Sequence, residues 1–208
     1  MITALGSLKV VTAGARAATV SRKTRETDIT ISLVLDGSGR AAAHTGIGFY
    51  DHLLTALGHH GLFDLDIQAT GDLDVDEHHS VEDVALVLGA AFNEALADRA
   101  AINRFGSSIV PMDESIAQAV VDVGGRPYAV LDLPFRAERA GALPLQLIPH
   151  AFESFARTSG TTLHLTGSGR NDHHLAEAAF KALGRAMRMA CEIDPRRTGV
   201  ASTKGSLG

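Results

Sequence analysis

The chain has 208 residues and a formal net charge of −5 at pH 7, which argues against general nucleic-acid affinity, since that needs dense Lys and Arg. Its 45% hydrophobic and 21% charged residues suit a globular chain with a sizeable core, and no apolar run approaches the roughly 20 residues of a membrane span. A single cysteine, Cys191, excludes an internal disulfide and fits a reducing cytoplasm, while ten histidines stand against no Trp and two Tyr.

Residues 1–18 read as a mixed, flexible head without the apolar core of a signal peptide. Ala17 to Thr24 and Asp28 to Leu35 alternate as strands. The turn signal Asp36-Gly37-Ser38-Gly39 predicts a hairpin into a third strand, Arg40 to Thr45. Gly46-Ile47-Gly48 ends it, and Phe49 to Leu57 reads as a short helix with Phe49, Leu53, Leu54 and Leu57 on one face. A half-buried strand over Leu62 to Thr70 follows, with Phe63, Leu65, Ile67 and Ala69 on one side. After an acidic loop, His79 to Asp98 is a long helix with Val81, Val84, Ala85, Leu88, Phe92 and Leu96 as its apolar stripe.

The order then begins again. Arg104 to Val110, Ser115 to Val123 and Pro127 to Leu133 read as strands, Leu145 to Thr158 as a helix, Thr161 to Thr166 as a strand and Asp172 to Glu192 as a helix. Pro195 lies just past that helix, as expected of a stop. The chain is thus two half-repeats, residues 19–102 and 103–194, each strand-strand-strand-helix-strand-helix, followed by a Gly/Ser/Thr-rich tail over 195–208. A repeat this long points to duplication and a pseudo-two-fold core rather than a solenoid.

The chemistry concentrates where the repeat is closest. Asp76-Glu77-His78-His79 with Glu82 recurs as Asn171-Asp172-His173-His174 with Glu177, and His52 and His150 occupy matching positions on the two shorter helices. The spacings are 173 − 78 = 95 and 150 − 52 = 98. On a helix His78 and Glu82 share a face at i, i+4, whereas His79 points about 100° away and is free to serve a different ion. The same logic separates His174 from His173 and Glu177. Six imidazoles and two carboxylates suffice for two ions with three His and one Glu each, leaving positions open for water or substrate. Such a thiolate-free set suits Mn, Fe, Co or Ni better than zinc. His44, His59 and His164 have no repeat partner and read as structural or surface residues. His60, one short helix beyond His52, is placed at the same cavity.

These motifs resemble imidazoleglycerol-phosphate dehydratases, manganese-dependent lyases of histidine biosynthesis. The resemblance runs through Arg25-Glu26-Thr27, Thr45 to His52, Asp76 to Asp83, Asn103-Arg104-Phe105-Gly106 and Pro111-Met112-Asp113-Glu114. It continues in Gly125-Arg126-Pro127, Asn171 to Leu183 and Ser202-Thr203-Lys204-Gly205. It implies an α+β fold in which a βββαβα half is duplicated and helices pack between two four-stranded sheets. It implies two Mn²⁺ per subunit, with His52, His78, His79, Glu82, His150, His173, His174 and Glu177 as ligands. His52, His78, Glu82 and His174 then face the substrate as well. Arg104, Arg126, Lys181, Ser202 and Lys204 are implied around it, chiefly at its phosphate, where Arg can donate bidentately. The implied reaction expels a hydroxyl with help from the imidazole ring and removes a proton from the neighbouring carbon. Glu26 is the expected substrate-facing proton-transfer group, with Glu177 or a metal-bound water as alternatives. The resemblance further implies a homo-oligomer, a 24-subunit shell with sites at subunit boundaries, acting on a small phosphate without nucleic-acid or membrane partners. A phosphate-ester hydrolase would favour Asp-rich bridged ions, and a storage shell would tolerate loss of Glu26, Arg104 and Lys204.

Overall fold

The computed structural model describes residues 7–14 and 16–207. The first half comprises β1 (Leu8–Gly14), β2 (Ala17–Lys23), β3 (Thr27–Val34), β4 (Ala41–His44), α1 (Gly48–Gly61), β5 (Asp64–Gly71) and α2 (His78–Leu96). The second comprises β6 (Phe105–Met112), β7 (Ser115–Asp122), β8 (Tyr128–Asp132), the short β9 (Arg139–Ala140) and β10 (Leu143–Pro144), α3 (Leu147–Ser159), β11 (Thr162–Ser168) and α4 (Asp172–Cys191). The expected α+β duplication holds, and the sheets run β1-β2-β3-β5-β4 and β6-β7-β11-β8. Among the described residues no helix is long and apolar enough to cross a membrane.

Two expectations are corrected. Part of the expected flexible head is β1, which pairs antiparallel with β2 and makes the first sheet five-stranded; residues 1–6 lie outside the described set. The hairpin expected from β3 into β4 does not form, because β5 takes the edge of β3 in a full antiparallel register from Thr27↔Gly71 to Val34↔Asp64. β4 pairs instead with β5, in parallel, through the crossover helix α1, as parallel neighbours require. Asp64 holds the intervening loop. Its Oδ1 accepts from the backbone N–H groups of Ser38 (2.8 Å) and Arg40 (3.1 Å), and its Oδ2 from the Arg40 guanidinium at 2.6 Å.

The repeat is also a packing repeat. Thr27, Ile29, Ile31 and Leu33 point inward on β3, as Ser115, Ala117, Ala119 and Val121 do on β7. α2 lies on β2 and β3, α4 lies on β6 and β7, and the helices pack crosswise, α1 against α4 and α2 against α3. Glycine makes these crossings close. A Cβ on Gly89 would lie 2.5 Å from Phe155 O, and one on Gly184 would lie 2.4 Å from Leu57 O. These glycines are 184 − 89 = 95 residues apart, the spacing of the double histidines. Each half therefore lends its shorter helix to the other half's long one.

Candidate metal centres and a basic cavity

The double histidines are held in the first turn of their helices by side-chain oxygens at matching repeat positions, the N-cap Asn171 at α4 and Asp76, one residue ahead of the N-cap Glu77, at α2. Asn171 Oδ1 accepts from the backbone N–H of His173 (3.0 Å) and His174 (3.4 Å), and Asp76 Oδ1 accepts from that of His78 at 2.8 Å. The entry to α1 is set by Asp51, whose Oδ1 takes both the backbone N–H (2.7 Å) and the hydroxyl (2.6 Å) of Thr45. Behind Glu82, the buried Asp83 ties α2 to the sheet through the Arg22 guanidinium and the Thr27 hydroxyl.

The crosswise packing brings the predicted ligands together in two clusters. His52 Nε2 from α1 and His173 Nε2 from α4 approach Oε1 of Glu177 at 2.9 and 3.0 Å. On the other side, His150 Nε2 from α3 and His78 Nε2 from α2 lie 3.7 and 4.0 Å from the two oxygens of Glu82. Donor atoms each about 2.1 Å from one octahedral ion sit roughly 3.0–4.2 Å apart, so both sets fit a transition-metal ion. His150 Nε2 sharpens that fit: it is buried and has no hydrogen-bond partner, a cost that a metal bond would remove. Each glutamate also faces a cation, Lys181 Nζ at 2.5 Å from Glu177 Oε2 and Arg157 at 3.4 Å from Glu82 Oε1. Burial of Glu177 opposes ionisation, but Lys181 and His52 outweigh it and hold the carboxyl down at about 2.

His79 and His174 stand apart, as their helical angle predicts. Their rings lie at 85° and 83° to those of His78 and His173. His79 Nδ1 meets Asp72 Oδ2 at 3.0 Å, and donating a hydrogen bond to that carboxylate raises the pKa of the ring. His174 Nδ1 meets Glu114 Oε2 at 3.0 Å, and that bond, first among several, holds Glu114 at about 2. Asp113, Glu114 and His174 form a third grouping of potential ligand atoms. Glu26 is half-exposed at the β2–β3 turn, with Oε1 4.0 Å from His79 Nε2. His60 lies exposed at the end of α1; partial burial, then Lys181 and its neighbours, push its pKa down.

The basic residues assemble elsewhere. Arg104, Arg126, Ser202 and Lys204 line a cavity of about 520 Å³ together with Arg197, Phe105 and Asn103. Lys181 is not in this set, since it is engaged by Glu177 on α4. Arg104 is committed on three sides: Nε and NH2 donate to Asp122 at 2.7 and 2.9 Å, and NH1 donates to Ala201 O at 2.7 Å. Its guanidinium also lies 4.7 Å over the Phe105 ring. The tail is thereby tied to β6 and becomes a cavity wall. No histidine lines the cavity. Arg104 N–H binds Ala190 O, which places the cavity at the C-terminal end of α4. His173 lies 190 − 173 = 17 residues away at the other end, about 25 Å along the axis.

The family model for imidazoleglycerol-phosphate dehydratase matches residues 45–187. The chain belongs to the imidazoleglycerol-phosphate dehydratase family. A curated dehydratase of that name from Gluconacetobacter diazotrophicus is 52% identical, over 93% of this chain and 98% of its own length. One from Methanoculleus marisnigri is 51% identical, over 92% of this chain and its entire length. The crystal structure of the Pyrococcus furiosus enzyme superposes with a TM-score of 0.78 at 36% identity, covering 90% of this chain and 99% of that one. That of Staphylococcus aureus gives 0.74 at 32%, over 84% and 98%.

Within this imidazoleglycerol-phosphate dehydratase fold, several residues at the clusters and cavity escape a reading of the sequence. Arg157 was findable, since it lies two helical turns beyond His150 on the same face of α3. Asp72 lies only seven residues before His79 but has no counterpart in the double-histidine repeat, while Asp122 and Arg197 are brought to the cavity by strand pairing and the path of the tail.

Proposed function

We propose that the two His–Glu–His clusters and the basic cavity divide the work of the family reaction between metal and phosphate binding. That reaction eliminates water from imidazole glycerol phosphate to give imidazole acetol phosphate, a carbon–oxygen lyase step of histidine biosynthesis. His52, His173 and Glu177 would hold one Mn²⁺ and His78, Glu82 and His150 another, with His79 and His174 as the remaining ligands. A bound divalent ion supplies Lewis-acid stabilisation of charge on the imidazole ring. The buried, unpartnered His150 Nε2 beside Glu82 is the observation that carries the metal reading.

The protein's own groups do the rest. Arg104, Arg126, Arg197, Ser202 and Lys204 grip the phosphate, in a cavity whose lining carries no carboxylate. The hydroxyl next to the ring leaves with the C–O bonding pair, and the proton that Glu26 removes from the neighbouring carbon makes up the water lost. The electron pair of that C–H bond then forms the enol double bond, and ketonisation returns a proton to the ring-side carbon. Glu26 suits the role better than Glu177, because Glu177 is engaged by His52, His173 and Lys181 whereas Glu26 is half-exposed.

No small phosphate ester spans about 25 Å, so the cavity of one chain would serve the histidines of another. An assembly also fits the outer face of the second sheet, where Phe105, Ile109, Ile116, Val120, Tyr128 and Val130 are exposed. The matching face of the first sheet carries Thr19, Thr30, Ser32, Asp66 and Gln68 around the exposed Val34. A homo-oligomeric shell of the expected 24 subunits, working in the cytoplasm, is consistent with both. The test of the chemistry is Glu26→Gln, assayed for loss of imidazole glycerol phosphate and for bound Mn²⁺. Turnover should vanish with both ions retained; substantial activity would remove Glu26 from the mechanism.

A further inference from the structure

Each double histidine leaves one ring outside the clusters, and both outer rings are gripped from behind in the same way. His79 turns Nδ1 to the Asp72 carboxylate at 3.0 and 3.3 Å, and His174 turns Nδ1 to Glu114 at 3.0 Å. An ionised carboxylate can only accept, so Nδ1 carries the proton in both rings and Nε2 keeps its lone pair in the neutral form. Glu114 is itself immobilised. Its Oε1 accepts from Asn171 N–H at 2.8 Å, Ser115 Oγ at 2.9 Å and Arg170 N–H at 3.4 Å. The residue that caps α4 is thus bound to the carboxylate that aims the histidine on its first turn.

The two carboxylates are not repeat equivalents. Glu114 immediately precedes β7, and the residue immediately preceding β3 is Glu26. Glu26 faces the opposite side of its histidine, 4.0 Å from Nε2 of His79. In the first half Asp72, from the loop after β5, has taken the Nδ1 position, and the glutamate of the strand turn is left free in front.

We propose that Asp72 and Glu114 are positioning residues, which fix the Nδ1–H tautomer and direction of His79 and His174 so that each presents Nε2 to a metal ion. The duplicated glutamate has split its role: Glu114 orients a ligand, and Glu26 is released to face substrate. This inference rests on the reading of His79 and His174 as metal ligands, and the controls below test that reading separately.

The experiment is Mn²⁺ binding to metal-stripped protein by equilibrium dialysis, for the parent, Asp72→Ala, Asp72→Asn, Glu114→Ala and Glu114→Gln, with His79→Ala as the control for the Asp72 variants and His174→Ala for the Glu114 variants. Asp72→Ala and Glu114→Ala should weaken binding of an ion by about 10–100-fold, as loss of an outer-shell partner does, yet still reach the parent stoichiometry at saturation. Asn and Gln retain an oxygen that accepts from Nδ1–H and should recover most of the affinity. Parent affinity in both of these, with affinity lost in His79→Ala and His174→Ala, overturns the positioning role. So does a Gln variant as defective as the alanine, which would make the Glu114 carboxylate a ligand in its own right, in the third grouping with Asp113. If Glu114→Ala does not fold, Asp72→Ala decides, because Asp72 braces no helix cap. Parent affinity in His79→Ala or His174→Ala overturns the metal reading of that ring and this inference with it.

Discussion

Glu177 shows how opposing effects settle one ionisation. Burial alone would raise its carboxyl, yet Lys181 at i, i+4 and His52 across the helix pair bring it from the ordinary 4.5 down to about 2. The folded value lies below the unfolded one, so Glu177 contributes stability to the metal-free protein that is fully present above about pH 4.5. That contribution is lost as pH falls towards 2. Lys181→Met removes a lowering influence, and the metal-free variant should begin acid unfolding at a higher pH than the parent, read by circular dichroism. His79 has the opposite sign. Its raised pKa gives the metal-free protein a contribution that is present below the ordinary imidazole range and fades as pH rises through the folded value. A metal ion needs the neutral ring, so if His79 is a ligand as proposed, proton and ion compete there, and Mn²⁺ affinity should climb with pH across that range in a dialysis series.

At the scale of the elements, the clusters depend on how closely helices cross. Gly89 and Gly184 let α2 approach α3 and α4 approach α1, with no room for a methyl group at either position. Gly89→Ala or Gly184→Ala should cost about 1–3 kcal/mol in denaturant unfolding, as overpacking does. Each should also weaken metal binding at the cluster its crossing supports. Helix and strand periodicity in the sequence foretold nearly every element here, because α2, α4 and the central strands carry regular apolar patterns that packing then uses. The i, i+4 rule likewise separates His78 from His79 on spacing alone. Pairing was harder to read. Asp36-Gly37-Ser38-Gly39 looked like a hairpin because turn chemistry is local, whereas the choice of β5 as the partner of β3 is decided by long-range burial. The sequence likewise offered no means of seeing that His52 would meet Glu177 rather than Glu82, since that follows from crosswise helix packing between the halves.

For the whole molecule, the separation of the His173 cluster from the basic cavity along α4 sets the largest constraint. The His–Glu–His clusters lie near helix N-termini and the basic cavity lies where α4 ends, about 25 Å along the axis from His173. On the proposed function, the cavity of one chain serves the histidines of another. Co-expression of His173→Ala with Lys204→Ala should therefore restore dehydratase activity that neither variant has alone, because mixed assemblies contain some boundaries with both parts intact. If the paired clusters are metal sites on which dehydration depends, manganese content and turnover must rise and fall together. Stripped protein reloaded with Mn²⁺ should take up two ions per chain and regain dehydration without releasing phosphate. Full dehydratase activity in protein stripped of all metal, or no specific uptake on reloading, would contradict it.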